Sequence, residues 1–465
     1  MTPTMLEAID AFKSTYAHGL AERPEDLRSI DELDQMLHEA RAVIGRSAMR
    51  TSIEAVRVRA LVDVPSCCGR SMRKDHRPKL RVLSMQGEHE TDGISYRCDI
   101  CNKTQRPVHE TLGVGSYAKT SVLFDRLSAD FFIDKGAPTA VRRLKEHHGI
   151  EPGRTTVLCH AEQRGEQARR WLDDKLRSAS ATAEGRRGHT PPIGTVFVQM
   201  DSSSGKTVQP LVRPEVADDA AVERTPVRQL PKVNRPIEGR QVKLLCAQPK
   251  GGADWVYDAY VGEFDDAPRR LEGLAATCGW QPGVMAVMTA DGEAKNRESG
   301  EGAFLPDFHF ILDHPHALGH LKDVVTYAKD ALPGSPQQWM DQAIRSLHEG
   351  RVYEVIADTR RLAEQMDDGD ARTKVDNVAT YFKERADAVH YDAFQQHGWP
   401  LSSGAVEGGH IHLVHPISKR GSGWLVSHLN CTLALACIRQ SGWWDDFWKS
   451  AQERPPTTAD VPVLH

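Results

Sequence analysis

The sequence lacks any long apolar run. No stretch of eighteen apolar residues occurs among its 465 residues, so a membrane-spanning helix is not expected. The first ten residues, MTPTMLEAID, also lack the positively charged stretch, leading into an apolar one, that marks a secretory signal. Cysteines are few and odd in number, nine in all. Five of them are scattered along apolar stretches, namely Cys159, Cys246, Cys278, Cys431 and Cys437. Together these features predict a globular protein of a reducing, cytoplasmic compartment, with no membrane partner.

The chain also lacks an excess of positive charge, with 59 Lys and Arg residues against 64 Asp and Glu residues and a formal net charge of -5. Proteins that neutralise nucleic-acid phosphates usually carry excess cations, so the average charge argues against a nucleic-acid partner. The distribution is uneven, however. Seven Arg and Lys residues crowd positions 142–170, Lys419 and Arg420 are adjacent, and acidic residues concentrate at 215–223 and 365–370. Local basic surfaces, including Lys419 and Arg420, are therefore predicted to contact DNA.

Residue patterns divide the chain into several parts. Residues 1–60 have apolar residues at helical spacing, 61–112 have short extended pieces with clustered cysteines, and 113–180 are helical again. The small, polar stretch at 178–192 ends in two prolines and predicts a linker. Residues 193–316 and 397–450 form a predicted catalytic core, separated by a helical stretch at 317–396.

Two helices joined by a short turn are predicted between residues 138 and 171. The segments TAVRRLKEHHG and TTVLCHAEQRGEQARRW flank a turn that carries Gly and Pro, which is typical of a helix-turn-helix motif. In such motifs the start of the second helix contacts base edges. Arg154, Thr155 and Thr156, with Arg164 further along, are therefore predicted to bind DNA. Two helices of an ordinary bundle are the alternative.

Four clustered cysteines predict a small metal-binding module. The segment Cys-Asp-Ile-Cys at 98–101 has the two-residue spacing of a zinc knuckle. The upstream pair is irregular, because its two cysteines are adjacent and adjacent cysteines seldom bind one tetrahedral ion together. We therefore expect a metal site with one ligand replaced, by His76 or His89, or a site that has decayed, and a small domain with reduced thiols is the alternative. The four candidate ligands are Cys67, Cys68, Cys98 and Cys101.

The second half of the chain predicts an α/β domain. Apolar segments predict strands at 194–201, 240–248, 254–262, 284–291 and 308–313, with a helix at 267–280 before the fourth strand. Three strands, a helix, two further strands and then helices is the order of the RNase H-like fold. We therefore expect a mixed five-stranded sheet with helices, preceded by an N-terminal helical segment and the small Cys-rich, zinc-ribbon-like module.

Three acidic residues occupy the positions at which that fold carries a catalytic site. Asp201 closes the first predicted strand, Asp291 closes the fourth, and Glu407 lies near the start of a late helix. Two divalent ions about 3.5–4 Å apart can serve both the attacking and the leaving oxygen in phosphoryl transfer, and Mg²⁺ prefers carboxylate oxygens. These residues therefore predict a Mg²⁺ or Mn²⁺ site. As an alternative, the Asp-Gly pair at 291–292 is a frequent turn former.

Several segments resemble those of a known family. They are FILDHPHALGHL around position 313, GWPLSSGAVEGGH at 398–410, KRGSGW at 419–424 and SGWWDDFW at 441–448. From about residue 64 to 448 the chain resembles bacterial insertion-sequence transposases of the ISKra type, distant relatives of Mutator-like transposases. The second segment is the most specific, since Pro, small residues and Gly just ahead of Val406-Glu407 are similar to the family's catalytic-glutamate signature.

The resemblance implies a DDE transposase that cleaves and joins DNA strands. Asp201, Asp291 and Glu407 would be its triad, and Asp313 with His316 would form the Asp-x-x-His motif that follows the second aspartate. The helical stretch after His316 would be an all-helical insertion, and the cysteine module a zinc ribbon. In the family the first aspartate is often followed by glycine, where this chain has serine. Asp313 remains the alternative second metal ligand, with Asp291 then forming a turn.

The resemblance also implies double-stranded DNA as partner, both transposon ends and target, and a homo-oligomer in the synaptic complex at the bacterial nucleoid. A domesticated or inactive relative that binds DNA without cutting it is the alternative function. His410, His412 and His415 are not expected to share a metal ion, because His410 and His412 would lie on different faces of a helix. Histidines that are solvated or that face a phosphate are expected instead.

Overall fold

The computed structural model describes residues 10, 13, 14, 29–114, 119–187, 194–209, 236–421 and 423–453. Two compact units are formed, one from Met1–Gln167 with Trp448–Leu464 and one from Ala168–Phe447. Most of the predicted helical segment before residue 29, the acidic run at 215–223 and the end of the predicted linker lie outside the described residues.

The first unit begins with a long helix, α1 (Ile30–Ala60), which confirms the predicted helical character of this segment. The hydroxyl of Ser29 accepts a hydrogen bond from the Glu32 amide at 3.2 Å and so caps the helix. Arg57 and Arg59 lie in the last turn, where positive charge complements the helix dipole.

Seven short strands follow and confirm the short extended segments predicted for this part of the chain. They are β1 (Ser66–Cys67), β2 (Arg70–Ser71), β3 (Arg73–His76), β4 (Lys79–Ser84), β5 (Gly87–Asp92), β6 (Ser95–Arg97) and β7 (Thr104–Gln105). Strands β1 and β2 form one antiparallel hairpin and β4 and β5 another, while β3, β6 and β7 form a three-stranded antiparallel sheet.

Four helices complete this part of the chain: α2 (Pro107–Thr111), α3 (Val122–Lys135), α4 (Ala137–His148) and α5 (Arg154–Glu184). The chain leaves α4 through Gly149 in the left-handed conformation and re-enters a helix at Arg154, which confirms the predicted pair of helices and their turn. The prediction of a linker at 178–192 is wrong for its first part, because helix α5 extends to Glu184. Helix α5 continues through it because Ala183 is buried, so packing holds the small residues in a helix.

The second unit contains a five-stranded mixed sheet. Its strands are β8 (Thr195–Val208), β9 (Ile237–Pro249), β10 (Val256–Val261), β11 (Met285–Ala290) and β12 (Phe308–Leu312). Their order across the sheet is β10-β9-β8-β11-β12. Strands β8, β9 and β10 pair antiparallel, whereas β8 pairs with β11 and β11 pairs with β12 in parallel. All five predicted strands are thus confirmed.

Strand β8 is longer than predicted. It pairs with β9 from Val196 opposite Pro249 to Val208 opposite Ile237. The alternation of exposed and buried residues continues past residue 201, since Gly205 and Thr207 are buried. Asp201 therefore lies inside a strand, and the prediction that it closes the strand is wrong.

Helices lie between the later strands of the sheet and after its last strand along the chain. They are α6 (Ala267–Thr277), α7 (Ala294–Phe304), α8 (His314–Tyr327), α9 (Pro336–His348), α10 (Val352–Glu364), α11 (Asp370–Glu384), α12 (Tyr391–Gln396), α13 (Gly404–Gly409), α14 (His415–Ser418), α15 (Val426–Gln440) and α16 (Trp444–Glu453). A π-helical segment, His410–Val414, joins α13 to α14. Within the part of the chain that the structure describes, no helix has the length and apolar character needed to cross a membrane.

A buried ion-pair network fastens elements of the second unit together. Asp258 on β10 is fully buried, and its carboxylate accepts hydrogen bonds from Arg169 and Arg270, each at 2.8 Å. Burial opposes ionisation of Asp258, but the two guanidinium groups outweigh it and hold its pKa below the usual value. Asp173 accepts from the same two arginines, at 2.7 and 3.0 Å. Helices α5 and α6 are thereby linked to the sheet.

Candidate active site and metal centre

Three predicted carboxylates share one electrostatic environment. Asp201 projects from β8, Asp291 follows the neighbouring parallel strand β11, and Glu407 lies on α13. Burial, together with the negative charges of Asp291 and Glu407, raises the pKa of Asp201 to about 6, although the Ser202 amide lowers it. Burial is the largest cause of this shift, and the contributions of Asp291 and Glu407 show that both lie within electrostatic range of Asp201. The structure therefore brings these three predicted residues together.

Asp291 combines a turn-forming contact with a vacant oxygen. Its Oδ1 accepts hydrogen bonds from the Glu293 amide at 3.1 Å and from Nδ2 of the buried Asn296 at 2.8 Å. Among the described residues, its Oδ2 accepts no hydrogen bond. The turn-forming alternative and the metal-ligand prediction are thus compatible, because one oxygen holds the turn and the other remains available.

The turn after Asp291 is held by helix α11. Arg385 donates hydrogen bonds from Nε and Nη2 to the Gly292 carbonyl at 3.0 and 2.6 Å. The ring of Tyr381 occupies the space that a Cβ at position 292 would need, so this position requires glycine. A helix from the 317–396 stretch therefore positions a residue of the acidic site.

Glu407 is placed by a clamp from the sheet. Gln199, which is buried on β8 two residues before Asp201, donates from Nε2 to the Ser402 carbonyl at 3.0 Å. Its Oε1 accepts from the Ala405 and Val406 amides at 3.1 and 3.0 Å. These amides belong to the first turn of α13, where backbone N–H groups lack partners within the helix. The clamp leaves the exposed Glu407 carboxylate without a hydrogen-bond partner in the described residues.

Asp313 is buried and its hydrogen-bonding capacity is used. Oδ1 accepts from the Ser403 amide and hydroxyl at 2.5 and 2.9 Å, and Oδ2 accepts from the His316 amide at 2.9 Å and contacts Nδ1 of His316 at 2.7 Å. A carboxylate with both oxygens satisfied and 1% exposure is poorly suited to bind an ion. These contacts favour Asp291 over Asp313 as the second ligand.

His316 faces the acidic site from the start of α8. Partial burial lowers its pKa, but the hydrogen bond to Asp313 and the charges of Asp313, Asp291 and Glu407 outweigh burial, and the pKa is raised. An open groove of about 390 Å³ begins at Pro315 and His316 and follows α8 to Asp323. His316 therefore lies where a cationic side chain can meet an anionic ligand.

His410 was not expected at the site. Its ring is 3% exposed, Nδ1 lies 3.0 Å from the Ser203 hydroxyl, and Nε2 lies 3.3 Å from Oδ2 of Asp201 without forming a hydrogen bond. The preceding Gly409 allows the close approach, because a Cβ there would lie 2.7 Å from Leu244, the residue paired with Asp201 on β9. The prediction of a solvated or phosphate-facing histidine is wrong for His410.

The four cysteines of the first unit converge. Their Sγ atoms all lie within 4.8 Å of one another, and Cys67 is 3.8 Å from Cys68 and 3.5 Å from Cys101. Residues 68 and 69 form the two-residue turn between β1 and β2, with φ of 50° at Cys68 and 75° at Gly69. This left-handed conformation, unusual for a residue other than glycine, turns adjacent cysteines toward one centre. The cluster can hold a metal ion such as zinc.

The electrostatics of the cluster suit a cation. The amides of Cys101 and Ile100 lower the pKa of Cys98 to about 7, whereas contacts with Cys101 and Cys67 raise the pKa of Cys68 to about 12. The expected replacement of one ligand by a histidine is wrong. His76 is exposed and contacts Asp75 at 3.0 Å, and the four cysteines already offer four ligand atoms.

The predicted DNA-contacting residues divide into exposed and buried ones. Arg154 and Thr155 are exposed at the start of α5, and Thr156 is half-buried. Arg164 is 2% exposed and pairs with Asp125, whose Oδ2 accepts from Nε at 2.8 Å. The prediction that Arg164 contacts DNA is therefore corrected, since a buried guanidinium paired with a carboxylate holds the fold and does not reach a phosphate.

The two residues of the second predicted basic pair, Lys419 and Arg420, also differ in exposure. Lys419 is exposed, whereas Arg420 is half-buried and donates from Nε to the Pro416 carbonyl at 3.0 Å. Lys419 also lies near His410 and His415, whose pKa values its charge lowers. Lys419 is consequently the better placed of the two for a phosphate.

Among the described residues, the cysteine cluster alone brings three or more His, Cys, Asp or Glu ligand atoms within 4.8 Å of one another. The carboxylates of Asp201, Asp291 and Glu407 are spaced more widely. Neither the models of protein families nor the sequences of curated proteins contain a match to this chain. Its function is therefore inferred from the chemistry of the site.

Proposed function

We propose that the protein is a DDE-type DNA transposase that cuts and joins DNA strands with the help of divalent metal ions. The observation that carries this proposal is the convergence of Asp201, Asp291 and Glu407 from three separate elements, together with the raised pKa of Asp201. Placing three carboxylates, two of them partly buried, within electrostatic range of one another is unfavourable unless cations neutralise them. Such an arrangement is characteristic of sites that bind metal.

The order of the strands supports an RNase H-like core. The antiparallel hairpin strands β8, β9 and β10 are followed by the parallel strands β11 and β12, with β8 at the centre of the sheet. Asp201 lies on the central strand and Asp291 follows its parallel neighbour. Helices α8 to α12, between β12 and Glu407, would then be the all-helical insertion.

The donor set fits Mg²⁺ or Mn²⁺. It consists of carboxylates alone, two of which, Asp291 and Glu407, have an oxygen without a hydrogen-bond partner in the described part of the chain, and hard cations prefer such ligands. Ligands shared by two ions span a wider space than the ligands of one ion, in keeping with the spacing here. When bound, the ions would activate a water or a terminal 3′-hydroxyl and stabilise the leaving oxygen.

The chain's own residues would then hold the reacting groups. Gln199 fixes the helix that carries Glu407, and His410 lies behind the Asp201 carboxylate. His316, with a raised pKa and partial exposure, would contact the phosphate beside the groove along α8. Positioning and electrostatic stabilisation account for most catalysis of phosphoryl transfer, so these supports matter for the rate.

DNA would be held outside the acidic site by the predicted helix pair and by exposed cations. Helices α4 and α5 form the pair, and Arg154, Thr155 and Thr156 lie at the start of α5, the end that enters the major groove in such motifs. Lys419 would contact a backbone phosphate. The cysteine cluster would hold Zn²⁺ and stiffen the module from β1 to β7. A homo-oligomer on the transposon ends follows from the family resemblance.

A strand-transfer assay tests the proposal. The substrate is a duplex carrying the inverted repeats that flank the reading frame, incubated with a target plasmid and Mg²⁺ or Mn²⁺. Wild type should cut and join, and Asp201→Asn, Asp291→Asn and Glu407→Gln should each be inactive while still binding the duplex. Asp341→Asn, an exposed aspartate on α9, serves as the matched control and should retain full activity. Wild-type protein that binds the duplex without cutting it would point instead to a domesticated, non-catalytic relative.

A further inference from the structure

The first unit contains a cavity of about 240 Å³ whose lining includes none of the four clustered cysteines and none of residues 154–156. It is bordered by α1, by the β4–β5 turn, by α3 and by the end of α4. Its polar lining consists of His38, Arg41 and Arg46 from α1, Gln86 from the turn and His148 from α4, and none of the described residues that line it is acidic. Its apolar lining consists of Met85, Leu123, Leu127 and Ile150.

Local sequence explains why the cavity forms. The β4–β5 turn is closed by Ser84, whose hydroxyl accepts from the Gln86 amide at 3.0 Å and donates to the Gly87 carbonyl at 3.4 Å. Helix α1 approaches this turn at Gly45, where the Gln86 amide group fills the space that a Cβ would need. Gly87 and Gly149 have φ of 101° and 65°, so both can make the turns that border the cavity.

The cations in the cavity are not neutralised. Arg41 and Arg46 are exposed, and neither forms an ion pair with any described residue. Burial lowers the pKa of His148, and the charges of His147, Arg41 and His38 lower it further, so the positive charge of the cavity comes from the two arginines. Like charges at the mouth of a concave surface repel one another and are stabilised by an anion.

We propose that this cavity, which we call the α1 pocket, binds a backbone phosphate of the same DNA that the protein cuts. The α1 pocket fits one phosphate, because two guanidinium groups can donate to its oxygens while the apolar lining can contact the adjoining sugar. DNA is the favoured source, since the exposed Arg50 lies one helical turn beyond Arg46 on α1 and adds a positive charge beyond the α1 pocket. This assignment rests on the proposed function for the identity of the anion.

The test measures binding of a duplex of arbitrary sequence by fluorescence anisotropy over a range of salt concentrations. Each phosphate contact adds about 0.9 to the slope of log K against log salt. Arg41→Gln and Arg46→Gln should therefore each lower the slope by about 1 and weaken binding about fivefold at ~0.15 M salt. Arg41→Lys, which keeps the charge, should keep the slope. Arg59→Gln removes an exposed charge from the same helix outside the α1 pocket, so it should have the smallest effect.

Several outcomes would overturn the proposal. Slopes for Arg41→Gln and Arg46→Gln that match the Arg59→Gln control would exclude a specific phosphate site. If DNA binding is unchanged but inorganic phosphate raises the melting temperature of wild type and not of Arg41→Gln/Arg46→Gln, the α1 pocket binds a free anion and the DNA assignment is wrong. Failure of the proposed function is distinguishable, because the chain would then bind DNA with the expected slopes and yet leave it uncut in Mg²⁺ or Mn²⁺.

Discussion

Nε2 of His410 lies 3.3 Å from Oδ2 of Asp201, while Nδ1 on the other side of the ring lies 3.0 Å from the Ser203 hydroxyl. Burial, followed by the charges of His415 and Lys419, lowers the pKa of His410 to about 4. The ring is therefore neutral near pH 7. If the Ser203 hydroxyl donates to Nδ1, the single ring proton lies on Nε2 and faces Asp201.

His410→Ala should consequently weaken metal binding and lower kcat, because Asp201 loses the ring that lies 3.3 Å from its carboxylate and restricts its position. Neighbours that orient metal ligands typically contribute about 10- to 100-fold to metal affinity or activity. Mn²⁺ affinity by calorimetry and kcat at saturating DNA are the measurements. His410→Gln, which can donate a hydrogen bond toward Asp201, should recover part of the loss. If kcat falls equally in both variants while their Mn²⁺ affinity equals that of wild type, the ring only fills space.

Gln199→Leu should lower both stability and activity. Removing the amide leaves the Ser402 carbonyl and the Ala405 and Val406 amides without their partner, at a cost of about 2–4 kcal/mol for the group. Urea denaturation measures the stability, and strand cleavage under conditions where the protein stays folded measures the effect on Glu407. Gln199→Glu keeps both acceptor contacts and should retain more of the Glu407 geometry than Gln199→Leu. A Gln199→Leu protein of wild-type kcat would contradict the clamp.

The strands of the second unit were predictable because their apolar runs are long and bounded by turn residues. The extension of β8 beyond Asp201 was not, since residues 202–206 are small, polar or charged and are paired only by the partner strand β9. Pairing with a strand distant in sequence determines how far β8 extends, so the local sequence does not predict its end.

The grouping of the acidic residues could be predicted from their positions in the fold. The contacts that depend on side-chain packing could not. Element order predicted that Asp201, Asp291 and Glu407 lie near one another, although Asp201 lies inside β8 and not at its end. His410 was missed because a π-helical segment and the small Gly409 place it against β8. Arg164 was assigned to DNA because its burial depends on Asp125, 39 residues away along the chain. Cys68 was predicted as a ligand, but the left-handed backbone that lets adjacent cysteines meet at one centre was not.

The cysteine cluster should bind one zinc ion per chain. Cys68→Ser and Cys98→Ser should each lose the ion, which elemental analysis of the purified protein measures, and structural zinc sites contribute directly to folding. Removal of zinc by a chelator should therefore lower the melting temperature of wild type. Cys159→Ser, a half-buried free cysteine outside the cluster, is the control and should keep full occupancy. Retention of zinc by Cys68→Ser would show that three cysteines suffice.

Asp258→Asn should destabilise the second unit strongly. The substitution leaves the charges of Arg169 and Arg270 buried without their shared carboxylate, and breaking such a group typically costs about 3–5 kcal/mol. Asp173→Asn is the matched control, because Asp173 bonds the same arginines but its side chain is 26% exposed; its cost should be smaller. Equilibrium urea denaturation measures the free energy of unfolding of both variants. An equal decrease in the two would contradict a larger contribution from the buried Asp258.

The raised pKa of Asp201 predicts opposite effects of pH on metal binding and on stability. Because the folded pKa is about 6 and the ordinary value is 3.8, the metal-free native state binds this proton more tightly than the unfolded chain does. Its stability should therefore rise as pH falls from about 6 toward 4, and Asp201→Asn should stabilise the metal-free protein at pH 7–8 by about 1–2 kcal/mol after allowance for partial exposure.

Metal affinity should show the reverse trend. A divalent ion must displace the proton from Asp201, so Mn²⁺ affinity should fall about tenfold for each pH unit below about 6. Calorimetric titration with Mn²⁺ between pH 5 and 8 measures this, and Asp201→Asn should show weak binding with a flatter pH profile. A wild-type affinity that is constant from pH 5 to 7 would mean that Asp201 does not titrate against the metal, and the first ligand of the triad would then have to be sought elsewhere.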